Sequence, residues 1–229
     1  MKLLALDTAT EACSVALWLD GEVVVEAVEL VHEHAQCILP MIDALLAAHA
    51  LRLADLDAIA VGRGPGGFTG LRLAISVAQG LALGAGLPAV GVSDLAAVAQ
   101  AVFDRDPAAT DVLVCNDARM KEVYAAHYRR DDDGLAVLDG EEHVLRPEAV
   151  PAPAGARRLV GAGRGFAAYP ALAARLGPAL AAVDDRLLPE AGAIAKLAAA
   201  ALARGEGVAP EALQPVYLRD DVATPKSSA

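Results

Sequence analysis

"LLALDTATEACSVAL", residues 3–17, is an apolar run that stops at Asp7, crosses a short polar turn and resumes as a second β-rich run. A brief apolar run closed by a turn signal reads as a buried strand. Next, in "CSVALWLDGEVVVEAVEL" (13–30), Asp20-Gly21 separates two such runs. An Asp-Gly pair in that setting is the favoured two-residue hairpin turn, so three strands open the chain. The plan returns in "VLVCNDARMKEVYAAHY" (112–128), where an apolar strand ends at Asp117 and a second strand starts from Glu122. Between the two, "DRDPAATD" (104–111) gathers charge and proline and marks a boundary. The chain therefore reads as an α/β protein with one module repeated, over about 1–104 and 105–229. The last segment, about 211–222, is expected to pack back on the first module.

Inside the first module a strand at Leu56–Val61 runs into "VGRGPGGFTGLRLAISVAQGLALG" (61–84). Such a loop is either a phosphate cradle or a tight turn that aims a helix. Glycines admit an anion to the backbone, and free N–H groups at a helix start point at it. A P-loop requires Lys then Ser or Thr after its last glycine, and the loop has no such Lys; G-x-G-x-x-G is met only loosely by Gly62, Gly64 and Gly67. Pro65 also removes one N–H. The helix from Thr69 to Gly84 is apolar nearly all round: Leu71, Ile75, Ala78 and Ala82 share one face, Leu73, Val77, Leu81 and Gly84 another. A helix of that kind is covered on more than one side, by its own core or by a partner. The favoured reading is that the loop aims the helix and the helix meets partners.

Elsewhere the periodicity predicts a helix at about His34–His49, with Ile38, Met41, Ile42, Leu45 and Leu46 in one stripe and Pro40 inside it. "LPAVGV" reads as a strand, "SDLAAVAQAVF" as a helix capped by Ser93, "DDDG" (131–134) as a turn, "LVGAG" as a strand, and Glu190–Gly205 as a helix with its stop. "ATPKSSA" reads as a frayed tail.

Composition narrows the function. The 229 residues are 55% hydrophobic, 21% charged and only 3% aromatic, with net charge −11. That balance excludes strong direct binding of nucleic acid, which needs a positive face. The three widely spaced cysteines, Cys13, Cys37 and Cys115, form no CxxC pair and fit a reducing cytosol. "MKLLALDTAT" is too short for a signal h-region, and a cytoplasmic protein with no membrane association is expected.

Two modules that each open with a strand ending in Asp resemble the duplicated actin-like, sugar-kinase and Hsp70-type ATPase fold, which is RNase H-like. More specifically, "LLALDTATEACSVALW", "HAQCILPMI", the glycine loop with its helix, "CNDARMKEVYAAHY" and "PVYLRDDVA" resemble the TsaB family, also called YeaZ, from the first residue to about Val222. The resemblance implies a non-catalytic subunit that binds a TsaD-like catalytic paralogue and works with a TsaE-like ATPase. That assembly places a threonylcarbamoyl group on the adenosine following the anticodon of tRNAs reading codons that begin with A. It also implies a homodimer through the helix surface that meets the paralogue, and contact with tRNA only through the complex.

On this reading the partner face comprises Ile38, Met41, Ile42, Leu45, Leu71, Ala74, Ile75, Ala78 and Leu81; a helix deep in its own core is the lesser alternative. A vestigial nucleotide cleft comprises Asp7, Thr8, Asp117, Gly161 and Gly163. In kinases of this fold the phosphate turn is Asp followed by Gly and Thr; in this chain Asp7-Thr8-Ala9 and Asp117-Ala118-Arg119 lack the glycine. Catalytic residues are therefore not expected, no cofactor is required, and any ATP or ADP binding is weak. The rival readings are an ATP-dependent kinase of the same fold and a metallopeptidase. His32 and His34, at i and i+2, diverge on a helix and make no zinc set.

Overall fold

The computed structural model describes residues 1–30 and 32–219. The tail "ATPKSSA" lies outside them, as do residues 220–222. In chain order the elements are β1 (Lys2–Asp7), β2 (Ala12–Leu19), β3 (Glu22–Glu29), α1 (His34–Ala48), β4 (Ala58–Gly62), α2 (Phe68–Ala85), β5 (Ala89–Val92) and α3 (Asp94–Arg105). The second half follows with β6 (Asp111–Asp117), β7 (Val123–Arg130), β8 (Ala136–Leu138), β9 (His143–Leu145), β10 (Leu159–Ala162), α4 (Gly165–Ala168), α5 (Pro170–Leu176), β11 (Ala182–Asp184) and α6 (Ala191–Ala203).

The first sheet has the order β3-β2-β1-β4-β5, and the second β8-β7-β6-β10-β11, with β9 also on β7. In each, a hairpin is antiparallel and two further strands run parallel to its first strand. One arrangement has been built twice, which is the duplicated actin-like architecture.

Strand β1 is apolar on both sides because its sheet is covered on both. Leu4, Leu6, Val15, Leu17, Ile59 and Val61 face α1 and α2. Leu3, Ala5, Ala16, Ala58 and Ala60 face α6, whose Ala193, Ala195, Ala198 and Ala199 let it lie close. The second sheet carries α3 on one face, through Leu95, Val98, Val102 and Phe103, and Phe166, Leu172 and Leu176 on the other. The caps follow the sequence: the Ser93 hydroxyl accepts from the Leu95 and Ala96 N–H groups, satisfying donors at the start of α3.

The helices cross over. α3, all but its last residue within 1–104, covers the second sheet, and α6, within 105–229, covers the first. A division at residue 104 separates the sheets but not the layers, because α3 and α6 pack on each other between them. The end of the described chain returns to the first module. Leu213 is buried in its core, the Val216 N–H donates to the Arg63 carbonyl at 2.7 Å, and Gln79 Nε2 donates to the Leu213 carbonyl at 2.9 Å.

Candidate functional site

The glycine loop is not an open cradle. Its Gly67 N–H donates to the Ala9 carbonyl at 2.7 Å, and its Gly64 N–H donates to the Asp94 carboxyl. Thr8 Oγ1 donates to the Gly70 carbonyl at 2.7 Å. The loop is thus stitched onto the Asp7–Thr10 turn. A Cβ at Gly66 would lie 2.7 Å from the Ala9 Cβ, and one at Gly70 would be 3.0 Å from the Thr8 carbonyl carbon and closer to its oxygen. Gly66 and Gly70 thus admit the neighbouring Thr8–Ala9 backbone.

Asp7 does not face the cleft between the modules. Its carboxyl is fully buried; Oδ1 accepts from the Ala9 N–H at 3.0 Å, and beside it lies the carboxyl of Asp94, buried as completely. Burial first, and the mutual charge second, hold Asp94 well above the ordinary carboxylate range; burial also raises Asp7. Of the five cleft residues expected from the sequence, Thr8 and Asp117 line cavities. Asp7 does not, nor do Gly161 and Gly163: Gly161 lies against Phe166 of α4, and Gly163 against Asn116 and the Cys115 carbonyl of β6.

The cleft itself encloses about 690 Å³, walled by Glu11 and Glu29 from the first module and Asn116, Asp117, Arg119 and Arg164 from the second. Its arginines already face carboxylates. Arg119 pairs with Asp117 at 3.1 Å and with Glu11 at 3.3 Å; Arg164 pairs with Glu29 at 2.8 Å and Glu11 at 3.5 Å. These pairs are largely exposed, so each contributes little to stability, but an anion would have to displace them. The turn after β6 holds Arg119, Met120 and Lys121 at positive φ without a glycine, and Asp117 Oδ1 accepts from the Arg119 N–H at 2.9 Å and from the Tyr169 hydroxyl at 3.1 Å.

Other chemistry is muted. His32 and His34 border a second cavity of about 370 Å³, and among the described residues no three His, Cys, Asp or Glu side chains converge as metal ligands. Burial pushes the Cys13 thiol up to about 11 and Cys115 up to about 12, so neither is a thiolate at neutral pH.

The helix face is corrected by the structure. Ile38, Ile42, Leu45, Leu71, Ala74, Ile75 and Ala78 lie in the chain's own core, and Met41 and Leu81 pack half-buried against it. The reason is simple: α1 and α2 cover one whole face of the first sheet, so their bulkiest stripes turn inward. What remains outside is Leu39, Phe68 and Leu83, the last 72% exposed, with Arg72, Ser76, Gly80 and Gly84 between them on α2. α2 is long and apolar enough to cross a bilayer by length and composition, yet its inner stripe is committed to this core. At its start the Arg72 guanidinium lies 3.6 Å over the Phe68 ring, and its Nε donates to the Tyr217 hydroxyl at 2.9 Å. Neither this stack nor Asp94 was among the expected site residues, and nor was the chain Ser93–Tyr128–Glu142–Arg63. There the Tyr128 hydroxyl donates to Glu142 at 2.9 Å, and the contacts Ser93–Tyr128 at 3.3 Å and Arg63–Glu142 at 3.4 Å tie the first module to the second.

Strand order and exchanged helices together define an actin-like α/β protein, in which the glycine loop is stitched onto the Asp7–Thr10 turn. The family model described as "TsaD: tRNA N6-adenosine threonylcarbamoyltransferase" matches residues 28–224. The "tRNA threonylcarbamoyladenosine biosynthesis protein TsaB" of Escherichia coli K12 is 46% identical over 230 residues, covering 99% of this chain and 98% of that protein. The protein of the same name from Haemophilus influenzae is 38% identical over 97% of this chain and 95% of its own. Among solved structures, "YeaZ from Pseudomonas aeruginosa" superposes with a TM-score of 0.85 at 45% identity, covering 95% of this chain and 100% of that one. The chain belongs to the TsaB family.

Proposed function

We propose that this chain acts in tRNA threonylcarbamoyladenosine biosynthesis as a partner subunit that performs no turnover of its own. In this reading it works in the cytoplasm, binds a TsaD-like catalytic subunit through the outer face of α1 and α2, and cooperates with a TsaE-like ATPase. Alone it pairs with a second copy through the same face. The observation that carries the reading is the contrast within α2: its glycine start is filled by the Asp7–Thr10 turn, while its outer side leaves Phe68 and Leu83 exposed. Exposed apolar groups on a helix of small residues favour association. The net charge of −11 leaves tRNA contact to the complex. No cofactor is required; weak ATP or ADP binding falls to the cavity bordered by Thr8 and Asp117.

The test is reconstitution of tRNA threonylcarbamoylation from this chain with TsaD-like and TsaE-like proteins. Leu83→Glu should melt like the parent protein yet lose the complex and the modified nucleoside, since an unpaired carboxylate in an interface costs several kcal/mol, or orders of magnitude in affinity. Full modification by Leu83→Glu would move the interface elsewhere. ATP hydrolysis by the lone chain that Asp7→Asn abolishes would replace the scaffold reading with the kinase one.

A further inference from the structure

Two carboxyls meet beneath the glycine turn, with no cation between them among the described residues. Asp7 and Asp94 are both 0% exposed, and Asp7 Oδ2 and Asp94 Oδ1 are buried with no hydrogen-bond partner among the described residues. They converge: a Cβ on Gly62 would stand 2.6 Å from Asp7 Oδ1 and 2.5 Å from Asp94 Oδ1. Two ionised carboxylates at such range in a dry site repel, whereas one proton held between them supplies the donor each lacks. Both acids also hold the loop. Asp94 accepts from the Gly64 N–H while its own N–H donates to the Gly64 carbonyl at 3.1 Å, and Asp7 accepts from the Ala9 N–H.

We propose that Asp7 and Asp94 share a proton and together form a pH-sensitive clamp on the glycine turn from which α2 starts. The groups packed around the pair are already engaged. β2 presents Cys13 and Ser14, and the Ser14 hydroxyl is bonded to the Ala191 N–H at the start of α6. Ser93, on the other flank of Asp94, is bonded to Tyr128. Among the described residues Arg63 is the one cation that acts on Asp94, and its guanidinium is directed to Glu142 at 3.4 Å. Among the described residues no base sits on the pair to remove the proton.

The consequence is a proton taken up on folding. An unfolded Asp loses its proton near about 3.9. Burial raises both folded groups above that, so the stability they contribute is complete in acid and is lost as pH rises. One retained proton makes the folding constant fall about tenfold per pH unit. The experiment is urea unfolding of the full chain between pH 6 and 7.5, for the parent, Asp94→Asn and Asp7→Asn. Either amide keeps a donor toward the remaining carboxylate and removes the titration. The parent's folding constant is expected to fall about tenfold more per pH unit than that of either variant. Infrared spectroscopy of the parent at pH 7.5 needs no variant; it should show a protonated-carboxyl carbonyl band that carbon-13 labelling of aspartate shifts. Parallel pH curves for the parent and both variants, or no such band, overturn the proposal. Should one variant fail to fold, the other and the band decide.

Discussion

The glycine loop keeps its shape because backbone meets backbone, and that contact has a measurable price. Gly70→Ala and Gly80→Ala make the same chemical change in the same helix. In a helix interior, alanine is favoured over glycine by about 0.5–1 kcal/mol. At Gly80 a Cβ meets nothing within 4 Å, so the full gain should appear. At Gly70 the new methyl lies 3.0 Å from the Thr8 carbonyl carbon and overlaps its oxygen. That carbonyl cannot swing aside, because Thr8 follows a strand fixed by pairing on both sides and its hydroxyl is bonded to Gly70. Overpacking of this kind costs about 1–3 kcal/mol or more. The gain is common to both, so the two variants should differ by the overpacking cost, about 1–3 kcal/mol, with Gly80→Ala above the parent and Gly70→Ala below it.

Urea denaturation followed by circular dichroism, at one fixed protein concentration since self-association adds stability, reads this difference directly. With a slope of about 1–3 kcal/mol per molar, the midpoints should separate by about 1 M. Equal midpoints would refute the argument, because Gly70 would then be free to carry a side chain and its glycine would have to answer to a ligand instead.

Ile75→Glu should unfold the chain, since Ile75 is 5% exposed inside the core and a buried, unpartnered carboxylate costs several kcal/mol; Leu83→Glu should melt within about 0.5 kcal/mol of the parent while sedimenting as a monomer. Leu213→Ala should lose about 2–5 kcal/mol in urea unfolding, because a residue near the end of the described chain fills the core between α1, α2 and the first sheet. Arg130→Ala should lose about 1–3 kcal/mol in thermal melts, since its guanidinium donates to the Phe103, Asp106 and Ala109 carbonyls at the end of α3; lysine at that position should not restore it, lacking the planar fork.

The repeat was legible because strand-forming runs and their turns are local. Leu3–Asp7 and Val112–Asp117 carry apolar patterning that either sheet needs, whichever layers cover it. The cross-over of α3 and α6 was not legible. Nothing in the alanine stripe of α6 says which of two similar sheets it covers; that follows from close packing against Ala5, Ala16, Ala58 and Ala60, far away in sequence. The short elements β9, β11 and α5 also escaped, each being too brief to complete a period.

The site divides along the same line. The missing phosphate-turn glycines can be read from Asp7-Thr8-Ala9 alone, since that motif is contiguous. The helix faces could not be oriented, because α2 is apolar around most of its circumference and periodicity gives stripes without saying which one turns to the sheet. Size is the cue that was available: the stripe with Leu71 and Ile75 is bulkier than the one with Ser76 and Gly80, and the sheet takes the bulk. Asp94 gave no signal whatever. After Ser93 it reads as an ordinary acidic residue in the first turn of a helix, where the dipole favours it. Its meaning depends on Asp7, 87 positions earlier, arriving at the same buried point under Gly62. An acid that a capping rule explains fully is easily passed over, yet a cap has no need to be 0% exposed. A first-turn aspartate meant only for the helix dipole would keep its carboxylate in water. This one gives up that hydration, which is sustained only where a proton or a donor replaces it.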